Sequence, residues 1–214
     1  MKRMTSVLMS CCLASGCVAT DAVYPATWAS RVKLDSRECP SLDGEYSNQG
    51  DVSLENEATF NTYGSGYAVE AGSISLADML AGQAEGQEQL NFARVDAATD
   101  SHRSVRLNAE GGVLHVLAQR SDGSSRSFEL PIGDNCDGSM IDAGALWDGT
   151  TIVMASTVDR SNMKLGRSED GALLIRTKQT SGYFFLYVPM FATQDERWVR
   201  FPLYQPTLAE IGSE

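Results

Sequence analysis

Cysteine is the residue type in this chain that offers the most specific chemistry. The sequence contains five cysteines, at positions 11, 12, 17, 39 and 136. A thiol can carry a lipid, form a disulfide or bind a metal ion, and its surroundings favour one of these. Cys17 directly follows Ala14-Ser15-Gly16, whereas Cys11 and Cys12 each lack a Gly or Ala before them. A processing peptidase must approach the backbone closely, so the small residues before Cys17 mark it as the candidate for cleavage and modification.

The first sixteen residues have the composition of a targeting segment. Lys2 and Arg3 form a basic start, and the mainly apolar stretch 4–13 that follows is far shorter than the roughly 20 residues of a membrane-spanning helix. Ala14-Ser15-Gly16-Cys17 resembles the lipobox of bacterial lipoproteins, although Ala14 occupies the position that is usually Leu. The resemblance implies cleavage before Cys17 and attachment of lipid, including acyl chains such as palmitate, to its thiol.

A lipid on Cys17 predicts that the protein is attached to a membrane. More than one acyl chain gives a stable anchor, because each buried methylene contributes about 0.8 kcal/mol. Val18 follows the cysteine, in place of the Asp that resembles an inner-membrane retention signal in enteric-type bacteria. We therefore expect a lipid-anchored protein of the bacterial outer membrane that faces the periplasm. The alternative is an ordinary secretory signal cut near Ala19 or Ala22, which would leave no anchor.

Cys39 and Cys136 remain once the signal is removed. In an oxidising compartment, a disulfide between them is the simplest prediction. It would close a loop of nearly one hundred residues, which is worth up to roughly 4–5 kcal/mol in the chain-entropy model. A metal site on these two cysteines is disfavoured, because the chain has two histidines and neither lies near a cysteine in sequence. We expect no metal and no cofactor.

The rest of the chain reads as one domain. Residues 18–38 show no sustained period and Pro25 interrupts them, so residues 17–38 are predicted to be a flexible tether. A single β-rich periplasmic domain is expected over 39–206, followed by a polar tail at 207–214. Ser75 can cap a short helix over residues 75–81, which Gly82 would end.

Short strands separated by Gly-containing turns dominate the predicted domain. A strand near 89–95 is followed by reversals at Glu110-Gly111-Gly112 and Asp122-Gly123. In the second half, Asp148-Gly149 is expected to precede a strand over 150–158, and Glu169-Asp170-Gly171 to turn the chain before 172–179. Residues 183–188 and 197–201 complete the set. The pattern predicts a mainly β fold, an antiparallel sandwich or a small barrel with one short helix.

No set of residues predicts catalysis. His115 lies in a strand that is apolar on both sides, which favours a structural histidine, and His102 follows Asp100-Ser101 in an expected turn. Neither a nucleophile elbow nor a calcium loop or a phosphate-binding loop is present at the spacing that each requires. We therefore expect a protein that is not an enzyme.

Charge and aromatic residues indicate the kind of partner. The formal net charge is −11, and loss of Lys2 and Arg3 with the signal lowers it by two, to −13. Such an acidic surface repels phosphate backbones, so no nucleic-acid partner is expected. Four aromatic residues near the end of the chain could form an apolar binding surface; they are Tyr183, Phe185, Tyr187 and Trp198. A strand buried on both faces needs the same residues, and the pattern favours this position in the core over a binding surface.

A second resemblance begins at Cys39. Residues 39–50 read Cys-Pro-Ser-Leu-Asp-Gly-Glu-Tyr-Ser-Asn-Gln-Gly and resemble the Cys-Pro-x-Leu-x-Gly-x-Tyr-x-Asn-x-Gly pattern of a group of uncharacterised proteobacterial outer-membrane lipoproteins. The resemblance implies no activity and no functional residue. The sequence thus predicts a membrane-anchored envelope lipoprotein that acts through protein interaction or structure. The alternative is a binding module that holds a small apolar ligand in a β-lined cavity.

Overall fold

The structure, a computed structural model, describes most of the predicted domain. The described residues are 17–19, 24–33, 38–52, 74–85, 102–133, 136–137, 139–152, 155–186 and 188–206. The predicted signal peptide (1–16), polar tail (207–214) and strand near 89–95 lie outside them, and so does Tyr187.

Within these ranges the chain forms eleven strands and one helix, which confirms the prediction of a mainly β fold with one short helix. The elements in chain order are β1 Cys17–Ala19, β2 Gly44–Ser47, β3 Gln49–Val52, β4 Ile74–Ser75, α1 Leu76–Ala84, β5 His102–Glu110, β6 Val113–Arg120, β7 Ser125–Pro131, β8 Met140–Ile152, β9 Ala155–Arg167, β10 Leu173–Phe185 and β11 Val188–Phe201.

The strands form two sheets. The larger sheet has the order β4-β3-β11-β10-β9-β8, with β1 added beside β11, and the smaller sheet has the order β2-β5-β6-β7. β1 pairs parallel to β11, and the other pairings are antiparallel. One of the sheets is curled as half a barrel. Neighbouring strands follow one another along the chain over β8–β11 and β5–β7, as hairpin connections require.

One main core lies between the two sheets and α1. Its fully buried side chains come from both sheets, for example Leu107 and Leu114 from the smaller one and Leu165 and Leu173 from the larger one. Along β6, Leu114, Val116 and Ala118 alternate with more exposed residues, which is the period of two expected for a strand with one buried face.

The pattern at residues 39–50 has a structural role at several of its positions. Leu42 and Tyr46 are fully buried, and the Tyr46 hydroxyl donates a hydrogen bond of 3.0 Å to the Leu42 carbonyl. Burial raises the pKa of Tyr46. A Cβ added at Gly50 would lie 2.4 Å from Phe201 Cε1, so the core admits no side chain there. Packing in the core therefore accounts for Leu42, Tyr46 and Gly50 at their positions in the pattern.

Asn48 holds the start of α1 where the chain passes from the smaller sheet to the larger one. Its Oδ1 accepts a hydrogen bond of 2.9 Å from the Ala77 amide, and its Nδ2 donates one of 3.2 Å to Ser75 Oγ. Ser75 Oγ in turn accepts from the Asp78 amide at 3.2 Å, so Ser75 is the helix cap that the sequence predicted. The helix does not end at Gly82, however, because the buried Gly82 and Gln83 continue it to Ala84.

Three of the predicted reversals are present. Glu110-Gly111-Gly112 joins β5 to β6, Asp122-Gly123 lies between β6 and β7, and Glu169-Asp170-Gly171 lies between β9 and β10. Gly111, Gly123 and Gly171 have φ values of 60°, 83° and 84°, which glycine adopts at little cost.

Two predicted strands are wrong, because each contains a chain reversal. The predicted strand 150–158 is split between β8, which ends at Ile152, and β9, which begins at Ala155. The predicted strand 183–188 is split between Phe185 and Val188. Asp148-Gly149 is no turn either, since Asp148 pairs with Asp159 inside the β8–β9 ladder. The sequence between Ile152 and Ala155 and between Phe185 and Val188 contains no Gly, Pro, Asn or Asp, so it carries no turn signal.

The four long strands extend past the core. In β10, Leu173, Leu174 and Ile175 are fully buried, whereas no described residue of the strand beyond Thr177 is buried. From Lys178 to Phe185 the strand covers about 25 Å at 3.3–3.4 Å per residue. The parts of the β8–β9 and β10–β11 hairpins that pair beside this exposed half of β10 are called the hairpin ends, and they comprise the described residues of 149–158 and 179–194.

Candidate functional site

Trp198 of the predicted aromatic surface is buried on the face of the larger sheet that points away from the main core. It packs with Met140, Tyr24 and Trp28. The Tyr24 ring meets the Trp198 ring edge-on at 5.1 Å between centroids and the Trp28 ring at 5.9 Å, both with an interplanar angle of 85°. Burial raises the pKa of Tyr24 and outweighs the lowering effect of the nearby Arg31.

The segment that covers Trp198 lies within the predicted tether. The Val32 amide donates to the Arg167 carbonyl at 2.9 Å, and the Glu169 amide donates to the Ser30 carbonyl at 2.8 Å. The Arg31 guanidinium lies 5.3 Å above the Trp198 ring centroid. Residues 24–33 are therefore part of the folded structure. The sequence predicted that the domain starts at Cys39, but its contacts begin before that residue.

Charged side chains surround this aromatic cluster in paired form. Arg176 lies over Trp198, with its Cζ 5.6 Å from the ring centroid, and binds Glu196 through two hydrogen bonds of 2.8 Å. Arg200 forms an ion pair with Asp170, which also accepts from the Ser168 hydroxyl. Burial alone would raise the pKa of Asp170, but the bonds from Ser168 and Arg200 outweigh it and lower the pKa. Arg176 and Arg200 are held in ion pairs and Arg31 lies over the rings of Tyr24 and Trp198, so the cluster is packed as a structural support.

The other described members of the predicted aromatic surface lie elsewhere. Tyr183 and Phe185 belong to the far end of β10, and strand alternation places them on the opposite face of the sheet from Trp198, whose partner is Arg176. Phe185 is 41% exposed. The structure therefore does not bring Trp198 together with Tyr183 and Phe185.

The hairpin ends carry most of the large exposed apolar side chains found in the described residues. Besides Phe185, they are Val158 (37% exposed), Leu186 (54%) and Met190 (49%). Leu186 also has a positive φ of 51°, a region that a bulky non-glycine residue rarely adopts. The sequence favoured a strand buried on both faces here, and an uncharged apolar stretch carries no local signal that distinguishes an exposed position from a buried one.

Cys17 lies beside these hairpin ends. It is the first residue of β1 and is paired with Ala192 of β11. Ala192 is in turn opposite Gly182, and Gly182 is opposite Val158. The predicted lipid-attachment residue and the exposed Val158 thus belong to one row across the sheet.

Cys39 and Cys136 lie at disulfide-bonding distance. Their sulfur atoms are 2.15 Å apart and their Cα atoms 5.5 Å apart, across a sequence separation of 97. Cys39 precedes β2 of the smaller sheet, and Cys136 forms a bridge with Ile141 at the start of β8 in the larger one. The bond therefore ties the two sheets together.

A groove of about 500 Å³ runs over the solvent-facing side of the smaller sheet. Strand alternation presents six of its lining residues on this side, namely Arg106, Asn108, His115, Leu117, Ser127 and Glu129. His115 was expected to be a core histidine, but its side chain is nearly half exposed, and its Nδ1 lies 3.2 Å from Glu129 Oε1. The apolar residues that misled the prediction, Leu114 and Val116, point to the other face.

Ion pairs organise the rim of this groove. The Ser104 hydroxyl and the Arg106 guanidinium donate to the two oxygens of Glu45, at 2.7 and 3.1 Å. Burial would raise the pKa of Glu45, but these two hydrogen bonds outweigh it and the pKa is lowered. His102, expected in a solvated turn, is instead the half-buried first residue of β5 and is paired with Arg120.

The described part of the chain contains no group of three His, Cys, Asp or Glu side chains placed to hold a metal ion. Nor does any helix within it have the length and apolar character needed to cross a membrane. Comparison with protein-family models, with curated proteins and with solved structures found no match to this chain. The fold and the surfaces define a mainly β, disulfide-linked domain that has a groove of mixed polar and apolar lining on one side and uncharged hairpin ends.

Proposed function

We propose that this protein is a lipid-anchored envelope protein, attached through Cys17 to the bacterial outer membrane and facing the periplasm, with a non-enzymatic role in protein interaction. The observation that carries the proposal is Ala14-Ser15-Gly16-Cys17 after a basic and apolar start. The pairing of Cys17 with Ala192 supports it, because the anchor would leave the domain at a defined edge of the sheet. A disulfide between Cys39 and Cys136 suits an oxidising compartment.

The open groove, lined by both charged and apolar side chains, supports a protein partner more than a small apolar ligand. Its walls carry a cation, an imidazole and a carboxylate in exposed positions, contributed by Arg106, His115 and Glu129. Protein interfaces combine an apolar centre with polar and charged contacts at the rim, and the groove offers both kinds of side chain. Trp198, the residue expected to line an apolar cavity, is packed against Tyr24 and Trp28. The packing of Trp198 leaves the small-ligand alternative with less support, and the charged residues Arg106, His115 and Glu129 support a protein contact through the groove.

Mass spectrometry of the mature N-terminus tests the anchor. We expect the chain to begin at Cys17 and to carry the added mass of a diacylglycerol and an acyl chain. The matched control is Cys17→Ser, which should lose the lipid mass, while Cys12→Ser should leave it unchanged. A mature chain that begins after Ala19 or Ala22 without lipid would contradict the proposal.

Photocrosslinking in intact cells tests the partner. A photoreactive residue at Asn108 or Ser127 in the groove should trap one discrete partner protein. The control position is Ser121, which is exposed in the turn after β6 and lies outside the groove. Equal crosslinking at Ser121 and Ser127, or none at either groove position, would count against the groove. Bound apolar mass in native mass spectrometry of the purified chain would favour the alternative, a small-ligand carrier.

A further inference from the structure

The hairpin ends lack charge over an unusual length. No Asp, Glu, Lys or Arg occurs in residues 149–158 or 179–194, although these residues make up 21% of the chain. Asp148 and Asp159 bound the first stretch, and Lys178 and Asp195 bound the second. The structure pairs the two stretches side by side, since Phe185 is opposite Ala155 at the last position of both hairpins. An acidic protein thus has one uncharged end.

Apolar side chains at this end point into solvent. Phe185, Leu186 and Met190 are each more than 40% exposed, and Val158 is 37% exposed. An exposed apolar group of this kind marks a surface that contacts another apolar phase. Leu186 among them occupies the turning point of the β10–β11 hairpin, where Gly, Asn and Asp are the usual choices.

Leu186 occupies a position whose backbone conformation is unfavourable for a bulky side chain. It stands between β10 and β11 with φ 51°, in the left-handed region that glycine or asparagine adopts more easily. The side chain is 54% exposed and so adds little to the core. A bulky apolar residue at a strained and exposed turn indicates that the side chain itself is needed there.

The row of residues through Cys17 lies at the boundary of the first uncharged stretch, at Gly149 and Val158, and inside the second, at Gly182 and Ala192. This row joins Cys17, Ala192, Gly182, Val158 and Gly149 across the sheet. One step further from the hairpin loops, the next row contains Asp148 and Asp159. Every residue on the loop side of the Cys17 row is uncharged in both hairpins. The expected attachment point of the lipid therefore lies at the level where charge begins in the β8–β9 hairpin.

We propose that the hairpin ends dip into the lipid surface that holds the anchor, with Val158, Phe185, Leu186 and Met190 in contact with lipid. This inference rests on the proposed lipid anchor at Cys17. β11 runs away from the hairpin loop, and β1 runs parallel to β11. The chain would therefore leave the membrane at Cys17 and continue toward the domain. The anchor and the hairpin ends thus fix the orientation of the domain, with the acidic remainder held away from anionic headgroups.

The dimensions fit a shallow insertion. The loops lie three to four residues beyond the Cys17 row, which is about 10–13 Å at 3.3 Å per residue. Interfacial protein segments bury their apolar faces by roughly 5–10 Å at the boundary between headgroups and acyl chains. Two of the aromatic residues at this end, Tyr183 and Phe185, are of types that occur at such interfaces.

A fluorescent reporter on the lipidated full chain in vesicles of phosphatidylethanolamine and phosphatidylglycerol tests the inference. The reporter is a nitrobenzoxadiazole group on Ser156→Cys, opposite Phe184 near the loops, and the matched control is the same group on Ser121→Cys in the smaller sheet. We expect blue-shifted emission and several-fold stronger quenching by acyl-chain spin labels at position 156. Emission at 156 that matches the control would overturn the inference.

Leu186 variants separate contact with lipid from folding. Leu186→Gly removes the side chain and suits the positive φ, so it should keep or raise thermal stability while reducing quenching of the Ser156 reporter. Leu186→Asp should reduce the quenching further. Quenching unchanged in both variants would overturn the role of Leu186. A crosslink from Ser156 to a protein, without lipid quenching, would assign the hairpin ends to a protein partner.

The two proposals can fail separately. Mass spectrometry of each labelled sample reports on the anchor, and emission reports on the hairpin ends. A chain that carries the lipid mass but leaves the Ser156 reporter in water overturns the inference alone. A chain without the lipid mass overturns the proposed function and, with it, the inference.

Discussion

Arg176 and Glu196 form a two-bond ion pair on the outer face of the larger sheet. Arg176 Nε and Nη2 each donate a hydrogen bond of 2.8 Å to one carboxylate oxygen of Glu196, whose side chain is only 3% exposed. The planar guanidinium matches the carboxylate in geometry, and it also covers the Trp198 ring. Arg176 therefore neutralises the buried Glu196 carboxylate and at the same time packs against the aromatic cluster.

Arg176→Met should destabilise the domain substantially. The substitution removes the two-bond partner of a buried carboxylate, and breaking such a pair from one side costs about 2–4 kcal/mol at a partly exposed site. The free energy of unfolding from urea titration measures this. The control is Arg106→Met, which removes an exposed pair with Glu45 and should cost less than about 1 kcal/mol. Equal losses in the two variants would contradict the structural role of the Arg176–Glu196 pair.

Gly50→Ala should destabilise the core although it adds one methyl group. The new Cβ would lie 2.4 Å from Phe201 Cε1, and overpacking of this kind costs about 1–3 kcal/mol. Differential scanning calorimetry would show a lower Tm. The combination with Phe201→Leu tests the cause, because the two changes should partly compensate when the smaller side chain makes room. Strict additivity of the two free energies would show that the contact is not the reason.

The residues that the sequence predicted correctly are those with local physical signals. Ser75 caps α1 because its hydroxyl reaches the Asp78 amide three residues on, and Gly111 and Gly123 turn the chain because they adopt positive φ. The reversals predicted at 110–112 and 122–123 lie at the two ends of β6. The fold class followed from many such short elements.

Other residues were predicted in the wrong position. Their positions depend on contacts with residues that are distant in sequence, or they depart from the usual residue preferences of a turn. Trp198 is buried by Tyr24, which is far from it in sequence, so no local pattern could place the segment 24–33 on the sheet. Leu186 turns the chain without any turn signal. His115 is flanked by apolar residues on both sides, and only the pairing with Glu129 reveals which face it occupies. The failure at the hairpin loops is informative, because natural sequences break local rules where function or strain requires it.

Removal of the Cys39–Cys136 bond should lower stability. The bond closes a loop with a sequence separation of 97, and disulfides typically contribute about 2–4 kcal/mol by restricting the unfolded chain. The double variant Cys39→Ser with Cys136→Ser should therefore show a lower urea midpoint than the wild type. Wild-type protein treated with dithiothreitol is the matched control and should reach the same midpoint. An unchanged midpoint in both would show that the bond does not form in solution.

Stability should fall in acid because of Glu45. Burial raises the pKa of this carboxylate, but the hydrogen bonds from Ser104 and Arg106 prevail and the pKa in the folded state is lowered. A lowered folded-state pKa stabilises the protein above the unfolded value of about 4.3, and the contribution is lost as the pH falls through the folded pKa. The pKa of Asp137 is also lowered, since the bonds from Lys164 and Ser139 outweigh its burial. The free energy of unfolding should therefore decrease as the pH is lowered from about 5 toward 3.

Two substitutions assign part of this pH dependence to Glu45. Glu45→Gln removes the titrating group and should flatten the curve of unfolding free energy against pH below about 5. Ser104→Ala keeps the carboxylate but removes the 2.7 Å hydrogen bond, so the pKa of Glu45 should rise toward its ordinary value and the curve should flatten partly. Nuclear magnetic resonance titration of the Glu45 side chain measures that rise directly. If the curve keeps its full slope in Glu45→Gln, other carboxylates such as Asp137 carry the acid sensitivity instead.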